Sequence, residues 1–134
     1  MSLPELGQGA ARRLYAAATT GGTDSFTLTD DVALRLAAAC DALVADLEAA
    51  RAGGRQLAAT PGTAGFPDLP TGHALAAGFA GKAVEYLDTL TALQETALRF
   101  KAAYLAAAGR LTEADLANRA ALAVAAQAEG GGNG

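Results

Sequence analysis

From Phe79 to Leu111 the large or seam-filling residues fall at alternating steps of four and three: Phe79, Ala83, Tyr86, Leu90, Leu93, Ala97, Phe100, Tyr104, Ala107, Leu111. This spacing keeps one side of a long α-helix turned toward a partner and predicts a helix over 71–108. A second run, Leu36, Cys40, Leu43, Leu47, Ala50, Gly54 and Leu57, repeats the same steps. It passes through Gly53 and Gly54, and each interior glycine costs about 1 kcal/mol against alanine. A helix end at Gly53 therefore competes with continuation. Leu57 stays in register beyond the glycines, which favours a helix over 29–59. Gly54 on the seam lets a neighbouring backbone come close.

Boundary residues frame these two helices. Thr29 has the side chain of an N-cap, and Asp30 and Asp31 follow in the first turn, where the helix dipole favours negative charge. Residues 60–70 contain Pro61, Pro67 and Pro70 with Gly62 and Gly65, and form a connection whose one large side chain is Phe66. Phe66 reads as a plug folded back on the end of the helix pair, or as an anchor for a partner. Thr71 can cap the helix that follows. Gly109 is a good C-terminal residue, and Thr112 with Asp115 has the spacing of a capping box. A stop at Gly109 followed by a helix over 112–128 is the local reading, and a kinked continuation is the alternative.

The ends are less regular. Residues 1–28 form an N-terminal arm: Ser2 and Glu5 have capping-box spacing, Gly7 and Gly9 oppose an early start, and a short helix over 10–19 is expected. Residues 20–27 read as a loop and 130–134 as a disordered Gly-rich tail. The fold class is all-α, a single domain over 1–129. Its centre is an antiparallel helical hairpin of the two long helices, which the end helices cap or complete into a small bundle. Leu43, Leu47, Leu90, Leu93 and Phe100 are expected between the long helices. A second row, Val44, Leu87, Leu98 and Leu105, is expected to face another protomer or a partner.

Composition sharpens this picture. Of 134 residues 37 are alanine and 5% are aromatic, so helix formation is easy while each contact buries little area. Such a chain gains by packing helices closely or by borrowing a partner's surface. The net charge of −4 and scattered basic residues argue against nucleic acid and against an anionic membrane surface. Membrane insertion is not expected, because charges and glycines interrupt every apolar stretch. The N-terminus lacks the apolar run of a signal peptide.

Candidate chemistry is sparse. Cys40, the one cysteine, sits on an apolar helical stripe and reads as a small buried hydrophobe. His73, the one histidine, has no Cys or second His beside it to make a metal site. Asp41, Asp46, Glu48, Glu85, Asp88 and Glu95 fall on outer helix faces without the Glu-x-x-His pairs of di-iron bundles. No catalytic, cofactor or metal residues are expected, and the chain reads as a non-enzyme.

Two Ala-rich helices around a Gly/Pro loop, in a small acidic chain, resemble the WXG100/ESAT-6-like helical hairpins of type VII secretion in actinobacteria. The stretch Leu98-Arg99-Phe100-Lys101-Ala102-Ala103-Tyr104, followed by Asp115 to Leu122, is similar to the end of the second hairpin helix in the secretion-target branch. There a Tyr and an acidic residue four positions later form part of an export signal. Here Ala108 occupies that position, and Tyr104 and Asp115, eleven residues apart, make a degenerate version. Gly65-Phe66-Pro67 stands where the family carries Trp-x-Gly. The resemblance covers roughly residues 29–125. It implies a secreted substrate or pairing partner, forming a homodimer or a heterodimer with a related small helical protein. Localisation would be cytoplasmic, or secreted without a signal peptide. The rival reading is a cytosolic four-helix-bundle chaperone or adaptor, or a binder of a small apolar ligand.

Overall fold

The computed structural model describes residues 3–21, 25–58 and 69–131. All regular structure among them is α-helical: α1 (Gln8–Thr19), α2 (Asp30–Ala58), α3 (Pro70–Ala107) and α4 (Leu111–Gly131). The expected plug Phe66, most of the 60–70 connection and the Ser2 end of the N-terminal capping box lie outside the described residues.

Local chemistry accounts for the boundaries. Gly7 holds the left-handed conformation (φ 109°) just before α1, which starts two residues ahead of the expected Ala10. The Gln8 side chain secures that start by accepting from the Leu6 N–H at 2.6 Å and donating to the Pro4 carbonyl at 2.9 Å. Thr29 caps α2 as expected, its hydroxyl oxygen accepting from the Val32 N–H at 3.4 Å. The helix then continues through Gly53 and Gly54 to Ala58.

Thr71 is not the cap of α3. Leu69 is, in an extended conformation and with no side-chain hydrogen bond, because Pro70 starts the helix with its φ already set and no N–H to satisfy. At the other end the Gly109 N–H donates to the Ala106 carbonyl and the Arg110 N–H to the Leu105 carbonyl, each at 2.9 Å. With Gly109 at φ 79° this is a Schellman motif, and α3 stops there. The Thr112 cap is displaced as well. Helix α4 begins at Leu111, with the Ala114 N–H bonded to the Arg110 carbonyl, and persists to Gly131 into the expected tail.

Helix α3 is the hub against which α1, α2 and α4 each pack. Its outer half buries only Gly72, Ala76 and Ala83, whereas from Leu90 to Ala107 thirteen residues are buried on all sides. A helix surrounded in this way needs small or apolar residues around its whole circumference. The four helices meet at Ala37, Ala102, Leu105, Ala106, Ala114 and Ala117, with Tyr15 and Ala18 packed against them.

Helices α2 and α3 run in opposite directions, since Asp41 meets Lys101, Val44 meets Gln94 and Gly54 meets Leu87. Their seam has the expected steps of four and three but is turned by one residue. On α2 the inward positions are Ala33, Ala37, Cys40, Val44, Leu47, Arg51 and Gly54. On α3 they include Ala83, Leu87, Leu90, Gln94, Ala97 and Lys101. Cys40, Leu47, Gly54, Ala83, Leu90 and Ala97 belong to the seam as expected. Leu36, Leu43, Ala50, Tyr86, Leu93 and Phe100 give way to the residue that follows each of them.

A polar cluster fixes this offset. Buried Gln94 accepts from Arg51 Nη1 at 2.6 Å and donates to the Val44 carbonyl at 3.1 Å and to Glu48 at 3.3 Å. A buried amide with so many partners holds one register, because any slip leaves it unsatisfied. The row expected to face a partner is thereby drawn inward. Leu98 is 7% exposed and Leu105 2%, while Leu87 and Val44 are half-buried toward the helix pair. Leu43, expected inside, is 49% exposed.

Candidate partner-binding face

The residues turned out of the seam form a site of their own. Phe79, Tyr86, Leu93 and Phe100 recur every seven residues along α3, and Leu75 lies one turn before Phe79. Seven residues are close to two helical turns, so the row stays on one side of α3. On α2, Leu36 and Leu43 are likewise seven apart and precede the inward positions Ala37 and Val44 by one residue. In an antiparallel pair of right-handed helices, a step one residue back from the seam points to the same side on both partners. The two displaced rows therefore lie on a common face. Tyr86 reaches over α2 there, with its ring edge 3.4 Å from where a Gly54 methyl would stand.

The face is largely apolar, with the exposed Lys82 on the same side between Phe79 and Tyr86. Leu75 is 60% exposed, and Phe79, Tyr86 and Leu43 are each 49% exposed. Leu93 and Phe100 continue the row half-buried, Phe100 stacking on Tyr104 at 6.0 Å between ring centroids. The start of α1 reaches the end of this row, where a methyl on Gly7 would stand 4.0 Å from the Phe100 ring, and its first turns dock beside it. Helix α1 is held by buried Glu95, which accepts from Arg99 at 2.7 Å and from Gln8 at 3.3 Å and lies 3.8 Å from Arg12. Helix α4 covers Leu98 and Leu105. Sequence reading missed the open row because it assigned every large residue of the repeat to the seam. The signal was present as the strict seven-residue recurrence from Phe79 to Phe100.

The other predicted site residues separate. Tyr104 is half-buried on α3, and burial pushes its hydroxyl up, with Cys40 adding to the shift. Asp115 is exposed on α4, beyond the Gly109 turn, and pairs with Arg119 at 3.1 Å. The two do not share one continuous helix. Cys40 is half-buried, and its thiol is raised first by burial, then by Asp41, with Lys101 opposing. On the α2 surface the hydrogen bond from Arg55 holds the Glu48 carboxyl below its usual range, assisted by Gln94 and Arg51 against the cost of burial.

One cleft of about 210 Å³ lies between α3 and α4, lined by Leu98, Leu105, Leu116, Ala117, Ala120, Lys101 and Glu113. Ligand pockets usually enclose roughly 300–1,000 Å³ and present unpaired polar groups. Here Lys101 is paired with Asp41 and Glu113 with Arg110, both at 2.7 Å. Among the described residues no group of three His, Cys, Asp or Glu is placed to hold a metal ion. Among them, too, no helix is long and apolar enough to cross a membrane. No family model, curated protein or solved structure matches this chain.

Proposed function

We propose that this chain is a non-enzymatic helical-hairpin protein of the type VII secretion kind, acting as a secreted substrate or as the pairing partner of one. In this reading α2 and α3 form the hairpin, α1 and α4 brace its inner half, and the apolar side of the hairpin meets the partner. The observation that supports it is the run of large apolar side chains Leu75, Phe79 and Tyr86 on one side of α3, each about half exposed or more. Scattered exposed leucines are ordinary on a soluble surface, but an aligned row of large side chains marks a contact face. That row takes the role first expected of Val44, Leu87, Leu98 and Leu105, which the chain's own helices cover.

The test is secretion together with pairing. Expressed at native level in an actinobacterium with an active type VII system, the tagged chain should reach the culture filtrate. It should be lost from the filtrate when the secretion ATPase is removed. Tyr86→Glu should reduce recovery of any co-purified small helical protein. Retention in the cell whatever the state of the ATPase, with the chain always alone, would sink the proposal.

The rival closed bundle, a chaperone or adaptor, has one observation in its favour: α4 covers Leu98 and Leu105 in a core that all four helices share. Limited proteolysis separates the two readings. A closed bundle protects α1 and α4 as long as α2 and α3, whereas a braced hairpin loses its end helices first.

A further inference from the structure

We infer that residues 4–12 form a latch over the Phe100 end of α3, one that swings off α3 as a unit while α2, α3 and α4 stay packed. The segment is bonded first of all to itself. Gln8 accepts from the Leu6 N–H at 2.6 Å and donates to the Pro4 carbonyl at 2.9 Å, and Glu5 accepts from the Gly9 N–H at 2.9 Å. Its polar contacts with α3 are all longer. The Thr96 hydroxyl donates to the Leu6 carbonyl at 3.2 Å, Gln8 donates to Glu95 at 3.3 Å, and Arg12 lies 3.8 Å from Glu95. Parting these contacts strands no group. Glu95 keeps its bond from Arg99 at 2.7 Å, Thr96 keeps the Ala92 carbonyl at 3.0 Å, and Gln8 keeps Leu6 and Pro4. Arg12, already 56% exposed, passes to water. Separation is expensive when it leaves a buried donor or acceptor alone, and here each one retains a partner or reaches solvent.

Apolar burial adds little at this end, since Gln8 and Ala11 are the only residues of α1 that are buried and an alanine removes little area from water. The far end of α1 is fastened differently. Tyr15 and Ala18 pack against the shared core, the Phe26 N–H bonds the Ala17 carbonyl, and the Leu28 N–H bonds the Ala107 carbonyl, both at 2.9 Å. The helix therefore pivots about Tyr15, its start lifting while its end stays. Shut, the latch sits tightly: a methyl on Gly7 would stand 3.0 Å from Thr96 Cγ2 and 4.0 Å from the Phe100 ring. Open, it adds Phe100 to the side of α3 that already presents Leu75 and Tyr86. The latch thus sets how far along α3 a partner can reach. A partner that needs Phe100 binds more weakly by the fraction of chains that are shut. That use rests on the pairing reading above; the opening itself does not.

The experiment uses the full chain in a Cys40→Ser background and compares Ala11→Cys with Ala121→Cys. Both alanines are 0% exposed, one on α1 and one on α4, so a thiol at either site reacts only when its helix opens. Labelling by iodoacetamide in native buffer is followed by mass spectrometry, with helical circular dichroism showing that each variant is folded. Ala11→Cys should react at least ~10-fold faster than Ala121→Cys, at a rate indifferent to low urea, because a local opening exposes little surface. Adding Gln8→Ala, which removes the side chain that organises the segment and meets Glu95, should speed Ala11→Cys a further ~10-fold and leave Ala121→Cys unchanged. Thr96→Cys, beneath the latch, gives a second reading should Ala11→Cys not fold. Equal rates at the two sites with the same urea dependence, or equal acceleration of both by Gln8→Ala, would overturn the latch. Fast labelling of Ala11→Cys in a chain that is neither exported nor paired would uphold the latch and defeat the pairing reading. Slow labelling in an exported, paired chain would defeat the latch alone.

Discussion

Gly53 and Gly54 are consecutive interior residues of α2 with different surroundings, which makes them a matched pair for testing the seam. Alanine at either position should gain the same helix propensity, about 1 kcal/mol. At Gly53 an added methyl meets nothing within 4 Å, so the whole gain should appear. At Gly54 the new Cβ would stand 2.8 Å from Leu87 Cδ2 and 3.4 Å from Tyr86 Cδ2. Leu87 can yield by rotating, but it is packed against α2, and overfilling such a contact costs about 1–3 kcal/mol. Gly53→Ala should therefore stabilise by about 1 kcal/mol, and Gly54→Ala should fall between neutral and about 2 kcal/mol destabilising. Urea unfolding of the three proteins, with unchanged m-values, measures the difference. Propensity cancels between the two variants, so what is left is the close approach of Leu87 to α2. Truncating Leu87 to Ala should abolish the difference, as coupled neighbours do in a double-mutant cycle. Equal stabilisation by both alanines would refute the inward placement of Leu87, and with it the turned seam.

Other outcomes follow from the same packing. Gly109→Ala should cost about 1–2 kcal/mol by denaturant unfolding, because φ is 79° and nothing lies within 4 Å, so the penalty is backbone strain alone. No loss would mean that the Schellman stop does not persist in solution. Gln94→Leu should cost about 2–4 kcal/mol by leaving the Arg51 guanidinium, only 12% exposed, without its closest acceptor, and Arg51→Met in the same chain should recover part of it. Glu48 has a depressed pKa when folded, so its contribution is present above the unfolded carboxylate range near pH 4.3 and lost as pH falls through the folded value. Because Glu48 is half exposed the effect is small, and Glu48→Gln should flatten stability against pH only in that acid window; a change near neutrality would contradict it. The half-buried, raised Cys40 thiol should react with iodoacetamide at pH 8 more slowly than the same cysteine in urea, and equal rates would refute its partial burial.

Much of the helix layout was legible because it is written in local chemistry. Thr29 as an N-cap, continuation through Gly53 and Gly54, and the stop at Gly109 each depend on a residue and its immediate neighbours. The failures at Thr71 and Thr112 are local too. In the first a proline outranks a threonine, because fixing φ and removing an unsatisfied donor starts a helix without a side-chain cap. In the second the Schellman turn hands the chain directly from Arg110 into α4. What was not legible was the rotation of the two long helices. A heptad read from apolar residues alone yields two adjacent rows, and the choice between them is made by contacts between residues some fifty positions apart, such as Gln94 with Val44.

That choice runs against the usual rule of burying the largest side chains. The buried apolar residues are mostly alanines, Ala33, Ala37, Ala76, Ala83, Ala97 and Ala102 among them, while Leu43, Phe79 and Tyr86 stay about half exposed. Turning the helices by one residue would bury Leu43 and Tyr86, but their bulk would force α2 and α3 apart. The Gln94 cluster would then be stranded on the surface, and the short contact of Leu87 with Gly54 would be lost. Small residues inside allow close helix approach and a satisfied polar register, and the large ones are displaced as a set onto one side.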